Sequence, residues 1–141
     1  MIGNDLTLVI DTMDEERVES LLRMFAEVEL TISRPPRTGL VMMAVHDSFA
    51  TAFHPGEILV TEARVVFRDT EGFGMVLGEA PRRALARAAC DAVLHCPEAL
   101  PIKEQLRIFL NEEAAAQKNG QMESSAMIGA TKVNFDLMPG A

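Results

Sequence analysis

The chain has 141 residues, 13 Lys+Arg against 21 Asp+Glu, and a formal net charge of −8. A chain near this length buries about 68–70% of the surface its unfolded form exposes, so one domain over residues 1–141 can hold a core without staples. The acidic balance argues against nucleic acid, whose binding rests on a basic face, and no apolar run reaches the ~18–20 residues of a membrane span.

The start, MIGNDLTLVIDTMDEE, carries acids and no basic segment where a secretory signal would have one, so a cytoplasmic protein is expected. Within it, DLTLVI (5–10) reads as a first strand. DTMDEERVESLLRMFAEV reads as a helix, with Val18, Leu21, Leu22 and Phe25 on one face and Asp14, Glu15 and Glu16 at its positive end. VELTIS (28–33) reads as a second strand. Pro35 and Pro36 in SRPPRTG cannot donate to a ladder and mark a connection or an edge.

TGLVMMAVH (38–46) is apolar on both faces, which predicts a strand covered on both sides. DSFATAFHPG (47–56) reads as a loop. Residues 57–67 alternate, with Leu59, Thr61, Ala63, Val65 and Phe67 on one face and Ile58, Val60, Glu62, Arg64 and Val66 on the other. RDTEG reads as a hairpin turn and FGMVLG (73–78) as the returning strand. A helix over 79–96 has Pro81 in its first turn and a face of Ala84, Leu85, Ala88, Ala89 and Ala92. Pro97 ends it and Pro101 opens another, with a stripe of Ile102, Leu106, Phe109 and Leu110. Asn119-Gly120 predicts a break or kink, after which MESSAMIGATKVNF resumes the helix and passes into an extended tail. The expected fold is α+β: a mixed or antiparallel sheet of about five strands, an N-terminal helix and a helical C-terminal third.

Chemistry-bearing residues form no familiar site. His46-Asp47-Ser48 has the residue types of a hydrolase triad, but neighbours at a strand end point to opposite faces. His46, His54 and His95 have no ligand spacing, Cys90 and Cys96 form no C-x-x-C pair, and no metal site is expected. Six residues apart on a helix, the two thiols diverge and are read as reduced and buried. The glycines of GFGMVLGEAPRR before a helix suggest an anion corner at Gly78, Arg82 and Arg83, though the spacing is neither dinucleotide nor Walker type. Glu62 and Arg64, flanked by Ile58, Val60 and Val66, read as an ion-paired interface rather than a catalytic pair. An arginine neighbour keeps a carboxylate ionised, and pairing along the strand or across to the next is open to both.

PRTGLVMM (36–43), FHPGEILVTEARV (53–65), GFGMVLGEAPRRALARAACDAVL (72–94) and TKVNFDLM (131–138) together resemble the PhnG family, small subunits of the bacterial carbon–phosphorus lyase system. The likeness runs in order over roughly residues 34 to 138. It implies assembly with the H, I and J subunits into a core complex. There the I subunit, aided by G, H and the nucleotide-binding L subunit, joins a phosphonate to ATP with release of adenine. The J subunit later breaks the C–P bond with S-adenosylmethionine and an iron–sulfur cluster. The family supplies no catalytic residue for its G subunit. The resemblance therefore implies an accessory subunit of a transferase with its active site on a partner, and no cofactor of its own. Alternatives from the residues are an autonomous phosphate- or nucleotide-binding enzyme and a stand-alone adaptor.

Overall fold

A computed structural model describes residues 6–46 and 52–129, with side chains described over 6–42 and 56–120. The 47–51 part of the expected loop and the expected extended tail lie outside the described residues; the rest of that loop, 52–56, is strand. In chain order come a 3-10 turn (Leu8–Thr12), α1 (Glu15–Met24), β1 (Thr31–His46), β2 (Ala52–Phe67), β3 (Thr70–Leu77), α2 (Pro81–His95) and α3 (Pro101–Gly129). Among the described residues the sheet has three antiparallel strands in the order β1-β2-β3, not about five.

Two local differences account for the smaller count. Residues 28–33 and 38–46 are not separate strands: β1 runs unbroken through Pro35 and Pro36, with register shifts around Arg34. A strand tolerates prolines there because β1 is an edge and those positions owe no outer ladder bond. The apolar run expected as a strand at 5–10 is not one over its described residues, 6–10. The 3-10 turn buries Ile10, and Met13, which caps its end, is buried three residues on. Its carbonyls are satisfied from afar, by Arg83 at Ile10 and Met13 (both 2.6 Å) and by Gln117 at Val9 (2.9 Å). A short apolar run has no period of its own to choose between these outcomes.

The β2–β3 hairpin turn is tighter than RDTEG suggested. Arg68 and Asp69 alone form it, with φ of 47° and 67°, the backbone that suits the right-handed twist of the flanking strands. This leaves Gly72 and Gly74 inside β3, facing α2. A Cβ at Gly72 would lie 2.1 Å from the Ala88 carbonyl, and one at Gly74 would lie 2.3 Å from that of Ala84. Glycine against alanine brings helix and sheet into backbone contact. Beneath them Ala63, Val65 and Phe67 of β2 and Ala84, Ala88, Ala89, Cys90, Ala92 and Val93 of α2 form the core. The 3-10 turn, α1 and α3 pack on α2 in turn, through Val18, Leu21, Leu106 and Leu110. α3 is continuous through Asn119-Gly120.

Candidate interaction surface

Since the odd-numbered residues of β2 from Thr61 to Phe67 meet the core, alternation sends Ile58, Val60, Glu62, Arg64 and Val66 to the opposite face. Register adds their neighbours. Gly39 and Leu77 flank Val60, Arg37 and Met75 flank Glu62, and Arg34 and Phe73 flank Arg64. The sequence-predicted five therefore share one face, and the structure joins them to residues of both other strands. Glu62 and Arg64 do not pair with each other. The Glu62 carboxylate is shared by Arg34 (3.1 Å) and Arg37 (3.7 Å) of β1. Arg64 pairs with Glu71 of β3 (3.3 Å) and lies over the Phe73 ring, 4.9 Å from its centroid. Val60 is buried, Ile58, Glu62, Arg64 and Val66 are half-buried, and Val41, Met75 and Leu77 are exposed.

β3 ends opposite Val60, so β1 and β2 run on past it as a two-stranded arm. The expected double cover of the strand at 38–46 is not found over its described side chains. Leu40 and Met42 are 62% and 63% exposed on one face, and Val41 is exposed on the other. α2 begins at Pro81, just after β3, and among the described residues no third strand extends the sheet there. Over Gly39 the open face sinks into a notch of ≈ 290 Å³ bounded by Arg37, Val41, Val60 and Glu62.

The residues expected at an anion corner lie together at the start of α2, but within the chain's own contacts. Gly78 takes φ +79° at the strand-to-helix corner, and its N–H donates to the Leu59 carbonyl (2.8 Å). Arg82 pairs with Glu19 of α1. Arg83 donates to the Ile10 and Met13 carbonyls and to Glu15 (2.9 Å), and Arg87 pairs with Asp11 (3.0 Å). These arginines clamp the N-terminal segment to α2. Asp11, Glu15 and Glu19 recur every four residues, a legible acidic stripe that matches them.

Of the remaining residues, the side chains of His46 and His54 lie outside the described set. The ring Nδ1 of His95 lies 3.0 Å from the Asp91 carboxylate, which also accepts the Phe73 N–H (2.9 Å). Cys90 and Cys96 are free and buried, and burial pushes the Cys90 thiol far above its ordinary range. A depression of ≈ 690 Å³ beside the β2–β3 turn is lined by Glu27, Glu29, Phe67, Arg68, Asp69 and Ile102. Arg68 there is held by Glu98 (3.0 Å). Among the described residues no helix is long and apolar enough to cross a membrane.

These features describe an α+β protein with helices on one sheet face and an ion-paired, partly apolar surface on the other. The family model for the phosphonate metabolism protein PhnG matches residues 4–140, so the chain belongs to the PhnG family and to phosphonate metabolism. The match extends the resemblance through the N-terminal segment that the arginines of α2 hold. Among curated proteins, none matches the chain.

Proposed function

We propose that this chain is an accessory, non-catalytic subunit of the carbon–phosphorus lyase core complex, assembled with its H, I and J subunits and served by the L subunit. In this reading it supports the I subunit in forming alpha-D-ribose 1-methylphosphonate 5-triphosphate. A bond forms between methylphosphonate and the ribose C1 of ATP as the bond to adenine breaks. The open sheet face and the two-sided arm carry the reading. Leu40, Met42 and Leu77 leave large apolar surfaces in water, the mark of a surface that another polypeptide covers. Permanent hetero-complexes of this kind bury about 2,000 Å² or more. The chain's part in turnover is then to hold the partner's site in order.

Glu62→Ala strands two guanidiniums on the open face, and Arg64→Ala strands Glu71. Either variant, co-expressed with the H, I and J subunits, is expected to lower the yield of assembled complex, with adenine release falling in parallel. A complex that assembles at the native yield but no longer releases adenine would place the chain in the chemistry and sink this reading.

A further inference from the structure

Among the described residues nothing gives Gly39 a task. It lies mid-strand in β1, opposite Val60. Its φ is not in the left-handed region, so the backbone does not need glycine there. A Cβ built on it meets nothing within 4 Å, so packing does not need glycine either. Glycine in a strand interior weakens the strand and commonly marks a place where another group comes close. Gly72 and Gly74 show what such an approach looks like when α2 makes it. At Gly39 the space is open, and its occupant lies outside the described residues.

The rim tells what would fit. Val41 and Val60 offer apolar walls, and Arg37 and Glu62 close the polar side. The one Glu62 carboxylate serves both Arg34 and Arg37, which are 45% and 68% exposed, so the rim keeps an excess of positive charge. From Thr31 to His46, β1 contains no acidic residue to offset it.

Building on the assembly role above, we propose that the notch over Gly39 is an anchor pocket for a partner subunit. It takes one bulky apolar side chain, with a carboxylate of the partner beside it reaching Arg34 and Arg37. A buried side chain in a pocket, ringed by polar contacts, is the usual form of a binding hot spot. A second copy of this chain fits less well, because two such faces brought together would oppose their own unmatched guanidiniums.

The test uses the full chain, alone and co-expressed with the H, I and J subunits. Gly39→Val fills the notch. The free variant is expected to melt at or above the native temperature, since valine favours strands and meets open space. Its affinity for the partner subunits is expected to fall at least about tenfold, as when a hot-spot side chain loses its pocket. Gly39→Ala should fall between the two. Gly120→Ala, another glycine with open space around it, should bind as the native chain does. A Gly39→Val chain that assembles with native affinity would overturn the pocket and leave the assembly role standing. One that fails to fold would also overturn it, by giving Gly39 a task within the chain. A dimer of the isolated chain that Gly39→Val dissociates would assign the pocket to a second copy instead. A native chain that joins no complex would remove the assembly role and the pocket with it.

Discussion

Glycine has opposite meanings in the two outer strands of this sheet. At Gly74 the nearest atoms to an added Cβ include the Ala84 carbonyl at 2.3 Å and the Ala88 amide nitrogen at 2.6 Å. These are backbone atoms of a helix and cannot rotate away. Gly74→Ala is therefore expected to cost about 3 kcal/mol, the upper part of the usual range for overpacking. Urea denaturation would read this as a lowered midpoint, while Gly39→Ala should leave the midpoint near the native value. Cys90 makes a second residue-level case. Its buried thiol stays neutral at pH values where the thiol of an unfolded chain ionises. Above the ordinary thiol pKa of about 8.5 the unfolded state thus binds fewer protons than the folded one, and stability falls as pH rises, by up to about 1.4 kcal/mol per unit from this group. Denaturant melts of the native chain and Cys90→Ala between pH 8 and 10 should diverge in slope. Equal slopes would mean that the thiol ionises in place. The glycines themselves were plain in the sequence, but their roles were not. Gly72 sits one turn-length past Phe67 and reads as hairpin punctuation until the two-residue turn at Arg68-Asp69 is seen.

The elements divide along a similar line. β3, α2 and β2 from Glu57 onward follow from local pattern, because period-2 alternation and an alanine-rich helical face decide burial directly, whereas the start of β2 at Ala52, through Pro55-Gly56, reads as loop. β1 does not, since whether Pro35 and Pro36 end a strand or lie in an edge depends on strand order, which is a property of the whole sheet. The five residues of the open face were placed together from alternation alone, whereas their partners Arg34, Arg37 and Glu71 needed the register. The arginines of α2 looked like an anion corner because their acidic counterparts lie more than 60 residues earlier in the chain. One element junction depends on a single side chain that pattern could not single out. Thr61, buried on β2, donates to the Gly78 carbonyl (2.6 Å) and accepts the Ala80 N–H (3.0 Å). Ala80 cannot cap α2 with its own side chain, so β2 supplies the hydroxyl that fixes the corner from which α2 starts. Thr61→Val keeps the shape and strands both backbone groups. A loss of about 1–3 kcal/mol is expected, read from the denaturation midpoint, with Thr61→Ser recovering most of it.

At the scale of the whole molecule the asymmetry of the sheet matters most. One face has spent its apolar residues on α2 and, through it, on α1 and α3. The other face and both sides of the arm keep Leu40, Val41, Met42, Met75 and Leu77 in water. A two-stranded ribbon is marginal by itself, and covering it would stabilise it as a third strand or a packed face does. The free chain therefore holds its fold mainly through the helical side, and stability and assembly are separable. Leu40→Glu with Met42→Glu tests that separation. Both side chains are more than half exposed and contribute little to the core, so the free double variant should melt within about 3 °C of the native chain. It should also stay dispersed at higher concentration, because two added carboxylates break an apolar patch on a chain already at −8. Assembly should suffer in the opposite sense, since covering the arm would now desolvate two charges. Light scattering of the free chain and co-purification of the complex, measured on one preparation, would separate the effects. A double variant that melts far below the native chain would mean the arm supports the fold. One that assembles as well as the native chain would mean the arm's exposed Leu40–Met42 side is not what the partners cover.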